Sequence, residues 1–301
     1  MLILSDARLT VGVYGLGLIG STIATALERL SRWQLHSESI EWASPEASIA
    51  RSVDALQAAG RQSARTVVIW SAGVCGFGAT QAQTSAELKT FSMLLERCRD
   101  VGLLADADLH VVSSAGGLFE GQIGITGGST PESYRPYSSL KLDQEAYAQT
   151  LVDPKKLHIY RPSSVYGRVR KGHRLGLVST LVKNTFERRV THLVGRTYSL
   201  RDYVWADDIG EYVARRVYAN AQSQEAPHVL AQGKPSSVFE IQRTVESVMG
   251  RRTYISFDLK GDNDRHTTFA PTALPSHWHP HTIAFGVRAI VEDFRTYRRA
   301  A

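Results

Sequence analysis

The chain has 301 residues, 43% of them hydrophobic and 21% charged, which is typical of a globular protein with one large core or two smaller ones. Its formal charge of +6 comes from scattered basic residues, which argues against a nucleic-acid-binding surface. The absence of a membrane-length apolar run, of a signal-peptide pattern and of paired cysteines predicts a cytoplasmic protein without membrane or metal partners.

Strand-like and helical segments alternate along the chain, as they do in a parallel sheet covered by helices on both faces. The predicted strands are Leu9–Tyr14, Thr66–Trp70, Leu109–Ser113, Leu157–Arg161 and His228–Ala231. The predicted helices are Ser21–Leu30, Glu46–Ala59, Thr84–Arg99, Ser138–Leu151, Gly176–Arg189 and Gly286–Tyr297. The segments Arg168–Leu175 and Gly261–His281 are expected to be irregular.

The first strand ends in a glycine-rich turn, Gly15-Leu-Gly17-Leu-Ile-Gly20, which leads into a helix. Glycines in this strand-turn-helix context allow the backbone to approach a pyrophosphate, and the helix N-terminus offers N–H donors to the anion. The pattern therefore predicts dinucleotide binding on a Rossmann-type doubly wound parallel sheet. The alternative is a glycine turn that serves packing alone.

An acidic residue on the next strand would bind the ribose of the dinucleotide, and Glu38 and Glu41 lie in the segment where we expect that strand. The lack of an arginine beside them favours NAD, and NADP is the alternative. Both glutamates are equally compatible with a solvent-exposed strand.

Tyr137 and Lys141 are spaced four residues apart in a predicted helix, which places a phenol and an ammonium on one face. A phenol ordinarily ionises near pH 10, and a nearby cation favours its anion. Upstream, Ser113 and Ser114 end a predicted strand at the edge of the sheet where ligands bind in such folds. Either hydroxyl can assist a tyrosine base, or simply cap the strand.

Together these motifs resemble the extended short-chain dehydrogenase/reductase family, which includes nucleotide-sugar epimerases, dehydratases and ketoreductases. The resemblance covers roughly residues 9 to 290. It rests on the following segments in order: the glycine turn, Val-Ile-Trp-Ser-Ala-Gly73, Ser-Ser-Ala-Gly-Gly117, Tyr137-x-x-x-Lys141, Tyr160-Arg-Pro-Ser-Ser-Val-Tyr-Gly167, Arg201-Asp-Tyr-Val-Trp-Ala-Asp-Asp208 and Gly233-Lys-Pro-Ser-Ser-Val-Phe-Glu240.

The resemblance implies a role for each matching residue. Ser114, with Ser113 as the fallback, is the expected catalytic hydroxyl, Tyr137 the acid/base, and Lys141 the residue that holds the nicotinamide ribose. The expected cofactor-binding residues are Gly15, Gly17, Leu18, Ile19, Gly20, Glu38, Ser71, Ala72, Gly73, Ser113, Tyr137, Lys141, Pro162 and Ser163. Ser114, Ser164 and Arg201 are the expected substrate ligands, Arg201 at a diphosphate unless it forms a surface ion pair with Asp202.

The resemblance also implies an activity: NAD(P)-dependent epimerisation of a nucleotide sugar through a keto intermediate. The alternatives are a ketoreductase of a nucleotide sugar or related carbonyl, and a regulatory protein that binds the dinucleotide without catalysis. Ala115 and Gly116 follow Ser114 where dehydratases carry an acid/base pair, which argues against elimination. Tyr14 replaces the first glycine of the family's usual turn, which bears on cofactor affinity.

The expected domain division assigns residues 1–167 and about 200–235 to dinucleotide binding, and 168–199 and 236–301 to a smaller C-terminal substrate-binding lobe. Relatives dimerise through the helices that correspond to Thr84–Arg99 and Ser138–Leu151, so a homodimer is expected. The apolar residues for that seam, or for the core, are Leu88, Phe91, Leu95, Leu142 and Tyr147.

Overall fold

The computed structural model describes residues 1–170, 175–195, 198–221, 226–258 and 265–300. Its strands are β1 (Leu2–Ser5), β2 (Thr10–Tyr14), β3 (Gln34–Ser37), β4 (Thr66–Trp70), β5 (Asp108–Val112), β6 (Leu157–Pro162), β7 (Ser164–Tyr166), β8 (Thr191–Val194), β9 (Tyr203–Trp205), β10 (His228–Leu230) and β11 (Ile255–Asp258). Its helices are α1 (Leu18–Glu28), α2 (Pro45–Gly60), α3 (Gln81–Asp100), α4 (Leu103–Asp106), α5 (Ala115–Leu118), α6 (Pro136–Leu151), α7 (Leu177–Glu187), α8 (Ala206–Tyr218), α9 (Val238–Met249) and α10 (Ile283–Ala300).

The main sheet has seven strands in the order β10-β6-β5-β4-β2-β1-β3. Its centre is parallel, since β2, β4, β5 and β6 all run in one direction, and the α/β Rossmann-type fold is confirmed. One edge of the sheet is antiparallel, because β1 pairs antiparallel with both β2 and β3. Strand β1 has four residues, so its place depends on pairing with β2 rather than on a long apolar run.

Local sequence signals set the ends of the helices around the site. Thr80 caps α3 in a capping box with Gln83, and Arg97 and Arg99 lie in its last turn, where cations stabilise a helix. Pro136 opens α6, since its fixed φ suits the first helical turn. Consequently Tyr137 lies in the first turn of α6 and Lys141 one turn later.

The described residues divide into two compact units. The first comprises Met1–Leu118, Glu132–Arg161 and Gly210–His228. Its core packs between the sheet and helices α2, α3 and α6, and at its centre the rings of Trp70 and Phe91 lie 5.1 Å apart. Apolar burial of such large side chains stabilises the frame that carries the glycine turn.

The second unit comprises Phe119–Pro131, Pro162–Ile209 and Val229–Ala301. Its core gathers helices α7, α9 and α10 around Tyr166 and Trp205, whose rings lie 5.3 Å apart. Two small parallel sheets, β7 with β9 and β8 with β11, belong to this unit.

The predicted irregular segments lie partly outside the described residues, which omit 171–174 and 259–264. Within the rest of Gly261–His281 the structure has a single 3₁₀ turn, Pro271–Ala273. None of the described helices is long and apolar enough to cross a membrane.

Candidate functional site

The glycine turn is clamped between the ends of β2 and β4. Gly15 has a φ of +89°, and a Cβ atom on it would lie 2.3 Å from the Cα atom of Ala72. A Cβ atom on Gly20 would lie 1.8 Å from the Gly15 carbonyl oxygen, which itself accepts a hydrogen bond of 2.7 Å from Ser71 Oγ. Only glycine fits at positions 15 and 20, because neighbouring backbone fills the space of a side chain.

Gly17 differs from Gly15 and Gly20 because no neighbouring atoms occupy the space of a side chain there. It caps the N-terminus of α1 without a side-chain hydrogen bond, and a Cβ atom on it would meet nothing within 4 Å. The first turn of α1, which contains Leu18 and Ile19, therefore presents its backbone N–H groups beside open space. A helix N-terminus of this form suits an anionic group such as a pyrophosphate.

Tyr14 is buried beneath the turn. Its hydroxyl accepts a hydrogen bond of 3.5 Å from Ser52 on α2, and burial raises the pKa of this phenol above its usual value. Its ring fills core volume while its carbonyl oxygen accepts a bond from Ser71 Oγ. The family's usual glycine is thus replaced by a core residue without a side chain entering the turn.

Tyr137 and Ser114 meet around Gly117. A Cβ atom on Gly117 would lie 2.9 Å from a ring carbon of Tyr137 and 3.4 Å from Ser114 Oγ. The Gly117 backbone N–H donates a hydrogen bond of 3.1 Å to Ser114 Oγ. Gly117 is therefore the residue that lets the tyrosine ring approach the strand-end hydroxyl.

Lys141 is buried in the same region. Its Nζ atom lies 5.8 Å from the centre of the Tyr137 ring and donates a hydrogen bond of 2.9 Å to Gln144 Oε1. It also lies 3.5 Å from Oε1 of Glu87, a buried glutamate on α3. Tyr137 and Lys141 therefore share a helix face, as their spacing predicts, and an acidic partner joins them.

Contacts within the first unit connect the glycine turn to the tyrosine. Gly15 packs on Ala72, and the next residue, Gly73, packs on the Glu87 carboxylate. Glu87 in turn faces Lys141, whose ammonium lies beside the Tyr137 ring. The predicted cofactor residues at 15, 72 and 73 and the predicted catalytic residues at 137 and 141 therefore form one continuous set.

Three buried polar atoms of this set have no hydrogen-bond partner among the described residues: Ser113 Oγ, Glu87 Oε1 and Gln144 Nε2. Buried polar atoms normally find a partner, so these atoms point to a polar ligand. A hydroxyl-rich ligand such as a nucleotide ribose suits two acceptor-capable oxygens, an amide donor and the Lys141 ammonium. Together with the open N-terminus of α1, the residues fit a bound dinucleotide.

Other predicted site residues belong to the second unit. The Ser163 hydroxyl donates a hydrogen bond of 2.9 Å to the Asp202 carbonyl oxygen, and the Ser164 backbone N–H donates one of 3.0 Å to that same oxygen. Pro162 ends β6, and Arg201 forms backbone bridges with Ser236 and Thr267. These residues stay predictions as cofactor and substrate ligands.

The alternative of a surface ion pair between Arg201 and Asp202 is wrong. The Asp202 carboxylate is fully buried and accepts backbone N–H bonds from Gln232 and Gly233. Burial raises the pKa of this carboxyl to about 6, while those N–H donors act in the opposite direction.

Glu38 lies just beyond β3, and β1 separates β3 from the strand that carries the glycine turn. Its carboxylate lies 2.8 Å from His36 Nε2. The strand expected around Glu38 and Glu41 instead spans Gln34–Ser37, ends before both glutamates, and is not the immediate neighbour of β2. A ribose contact by Glu38 stays a prediction.

The histidines at 277, 279 and 281 show no metal-binding geometry: the described residues contain no group of three His, Cys, Asp or Glu side chains suited to a metal ion. His281 instead bonds to Asp208 on α8, at 2.5 Å from Nδ1 to the carboxylate.

Glu87 and Gln144 were not predicted as site residues, and Gly117 was recognised only as part of a motif. Glu87 precedes Phe91 by four residues, so an acid on the apolar face of α3 was the available signal. Gly117 is the second residue of a glycine pair that follows the strand-end serines. That this position must lack a side chain becomes evident only from the position of the Tyr137 ring.

The comparisons with known proteins agree with this geometry. The family model of the NAD-dependent epimerase/dehydratase family matches residues 12–230, more than half of the chain. No curated protein sequence matches.

Among solved structures, the UDP-glucose 4-epimerase of Thermus thermophilus, complexed with NAD, is 20% identical with a TM-score of 0.74, covering 96% of this chain and 99% of that one. A UDP-glucuronic acid 4-epimerase from Bacillus cereus, in complex with UDP-glucuronic acid and NAD, is 19% identical with a TM-score of 0.69, covering 96% and 99%. RMD from Pseudomonas aeruginosa, complexed with NADPH, is 17% identical with a TM-score of 0.73, covering 97% and 100%.

At these identities the solved structures establish the shared fold, and the family model, which spans the glycine turn, Tyr137 and Lys141, establishes the membership. The chain belongs to the NAD-dependent epimerase/dehydratase family of enzymes.

Proposed function

We propose that the protein is an NAD-dependent epimerase of a nucleotide-activated sugar. The observation that carries this proposal is the continuous set of contacts from the glycine turn through Ala72, Glu87 and Lys141 to Tyr137. The solved nucleotide-sugar epimerases with the same fold support the substrate class.

In the proposed reaction Tyr137, as phenolate, takes the proton of a sugar hydroxyl at its Oη atom. Ser114 donates a hydrogen bond to the same substrate oxygen, and Ser113, whose Oγ has no hydrogen-bond partner among the described residues, is available to the cofactor or substrate. Lys141 favours the phenolate by its positive charge and binds the nicotinamide ribose. When bound, NAD would serve as the reversible hydride acceptor for the sugar carbon, and epimerisation requires that the hydride return to the opposite face of that carbon.

The remaining cofactor contacts are assigned to the turn. The backbone from Gly15 to Gly20, with Leu18 and Ile19 in the first turn of α1, binds the pyrophosphate, and Ser71, Ala72 and Gly73 line the dinucleotide further along. NAD is the proposed cofactor, with NADP as the alternative. Ser164 and Arg201 stay proposed substrate ligands.

The experiment that tests the function incubates the purified protein with a panel of UDP-, dTDP- and GDP-sugars and follows the products by NMR. Mass spectrometry of the small molecules released on denaturation identifies the cofactor that the protein retains. We expect inversion of one sugar carbon and retained NAD. Net reduction with exchangeable NADPH would indicate a ketoreductase instead, and dinucleotide binding without turnover of any sugar would indicate a regulatory protein.

Gly17 provides a separate test of cofactor binding. Gly17→Ala is expected to weaken NAD binding by roughly tenfold or more in calorimetry, because the new methyl group enters the space where the pyrophosphate approaches the backbone. Thermal stability is expected to stay unchanged or rise slightly, since no atom lies within 4 Å of that methyl group.

Gly128→Ala is the matched control, because its Cβ atom also meets nothing within 4 Å and the residue lies far along the chain from the turn. Unchanged NAD affinity in Gly17→Ala would contradict the assignment of the pyrophosphate to this helix N-terminus.

We also propose a homodimer formed through α3 and α6. Phe91 and Leu95 are buried in the core of the protomer, and Tyr147 packs against that core. Leu88 and Leu142 are half-buried and are available to a partner. Light scattering of Leu88→Lys/Leu142→Lys is expected to give half the mass of the unmodified protein, and an unchanged mass would contradict this seam.

A further inference from the structure

A buried carboxylate lies beside the ammonium of Lys141. The side chains of Glu87 and Lys141 are each 6% exposed, and Glu87 Oε1 lies 3.5 Å from Lys141 Nζ. This separation is longer than a well-formed N–H···O hydrogen bond, so the two groups interact chiefly through their charges. The negative charge of Glu87 on α3 therefore partly compensates the positive charge of Lys141.

The same carboxylate holds the loop that follows β4. Glu87 Oε2 accepts hydrogen bonds of 3.0 Å from the backbone N–H groups of both Val74 and Cys75. Gly73, with a φ of +152°, packs so closely that a Cβ atom would lie 2.6 Å from Glu87 Oε1. One side chain thus contacts both the proposed cofactor loop and the proposed catalytic lysine.

The other charged and titratable groups around this pair have their own partners. Arg161 and Glu145 form two hydrogen bonds of 3.0 and 2.5 Å with each other. The Arg135 guanidinium lies over the Phe77 ring at 5.7 Å, and Cys75 belongs to the loop that Glu87 holds. Among the described residues Glu87 is the acid within 4 Å of Lys141 Nζ.

We propose that Glu87 is a positioning residue that orders the loop at 73–75 and sets how much positive charge Lys141 presents to Tyr137. An isolated ammonium would favour the phenolate strongly, and a carboxylate 3.5 Å away weakens that effect. Removing the Glu87 charge is therefore expected to leave the full positive charge of Lys141 facing Tyr137. The consequence for turnover rests on the proposed function, whereas the effect on the phenol itself does not.

Glu87→Gln tests the proposal in the cofactor-free protein. The amide keeps an oxygen for the Val74 and Cys75 N–H groups but removes the charge. The ionisation of Tyr137 is followed by ultraviolet absorbance as the difference between each protein and its Tyr137→Phe counterpart. We expect the midpoint of this difference to fall by about 0.5–1 pH unit in Glu87→Gln. An unchanged midpoint would overturn the proposal.

Glu96→Gln is the matched control, since Glu96 lies on the exposed side of α3 and bonds to Tyr147 rather than to Lys141. This variant removes the same charge from the same helix and is expected to leave the midpoint unchanged. An equal shift in both variants would show a general charge effect and overturn the specific role of Glu87.

A second measurement covers the case in which Glu87→Gln folds poorly. Lys141→Gln alone leaves the buried charge of Glu87 without a partner, which destabilises the protein. The double variant Glu87→Gln/Lys141→Gln removes that charge as well, so it is expected to melt several degrees above Lys141→Gln. A double variant no more stable than the single one would show that the two charges are not coupled.

These readouts separate the two proposals because they need neither cofactor nor substrate. If the protein turns over no nucleotide sugar but shows the shifted midpoint, the proposal for Glu87 stands and the proposed epimerase activity is contradicted. If the protein is an active epimerase but the midpoint does not shift, only the proposal for Glu87 is contradicted.

Discussion

Replacing Tyr137 by phenylalanine is expected to lower kcat on the nucleotide-sugar substrate by about 10²–10⁴-fold, which is the usual contribution of a positioned acid/base group. The ring contacts with Gly117 and Phe77 do not involve the hydroxyl, so the variant is expected to fold normally. Steady-state kinetics measures the loss, and calorimetric titration with NAD is expected to show affinity close to that of the unmodified protein.

Tyr147→Phe is the matched control for this substitution. Tyr147 lies on the same helix, and its hydroxyl donates a hydrogen bond of 2.7 Å to the exposed Glu96, away from Ser114 and Gly117. Its loss is expected to leave kcat within about twofold. Near-normal turnover in Tyr137→Phe would remove the proposed mechanism, whereas loss of NAD binding in that variant would indicate a mainly structural role for the tyrosine.

Acidification from pH 8 to pH 5 is expected to destabilise the protein strongly because of a buried histidine cluster in the first unit. The rings of His110 and His158 stack 4.2 Å apart, and Tyr160 OH lies 2.9 Å from His110 Nδ1. The ring of His228 stacks on Tyr160 at 5.4 Å, and Tyr212 OH lies 3.0 Å from His228 Nδ1. The cluster therefore joins strands β5, β6 and β10.

Burial lowers the pKa of His158 to about 4 and that of His228 to about 4, and burial and the neighbouring His158 hold the pKa of His110 well below its usual range. Unfolded histidine titrates near 6.5, so between pH 6.5 and 4 the unfolded chain binds more protons than the folded one. The stabilising contribution is complete above pH 6.5 and is lost as the pH falls.

His158 and His228 are each expected to lower the free energy of unfolding by about 2 kcal/mol between pH 8 and pH 5, and His110 acts in the same direction. Asp202 opposes this, because its raised pKa of about 6 makes the folded state bind a proton more readily than the unfolded state. Its opposing contribution over the same range is about 1.4 kcal/mol, and other buried carboxyls with raised pKa values act in the same direction. The balance of His158, His228 and Asp202 alone is a loss of about 2 to 3 kcal/mol.

Urea unfolding followed at pH 8, 6.5 and 5 measures this loss, and His158→Gln is expected to reduce it by about 2 kcal/mol. His158 suits this test because its Nδ1 atom has no hydrogen-bond partner among the described residues. An unfolding free energy that stays constant from pH 8 to pH 5 would contradict the prediction.

The sequence by itself determined the elements whose signals are local. Strand β4 was predicted with its observed bounds, and α2 and the end of α6 within one residue, because apolar periodicity and flanking glycine or proline depend on near neighbours. The glycine turn and the pair Tyr137 and Lys141 were recognisable because each requires particular residue types at a fixed spacing.

Only the tertiary structure decided which distant residues meet. The four residues of β1 become an inserted antiparallel strand by pairing with β2 and β3, so Glu38 does not lie on a strand next to the glycine turn. Gly117 is required by the ring of Tyr137, and Glu87 becomes significant because α3 and α6 bring it to Lys141. Contacts between residues far apart in sequence depend on how whole elements pack, and no local pattern encodes them.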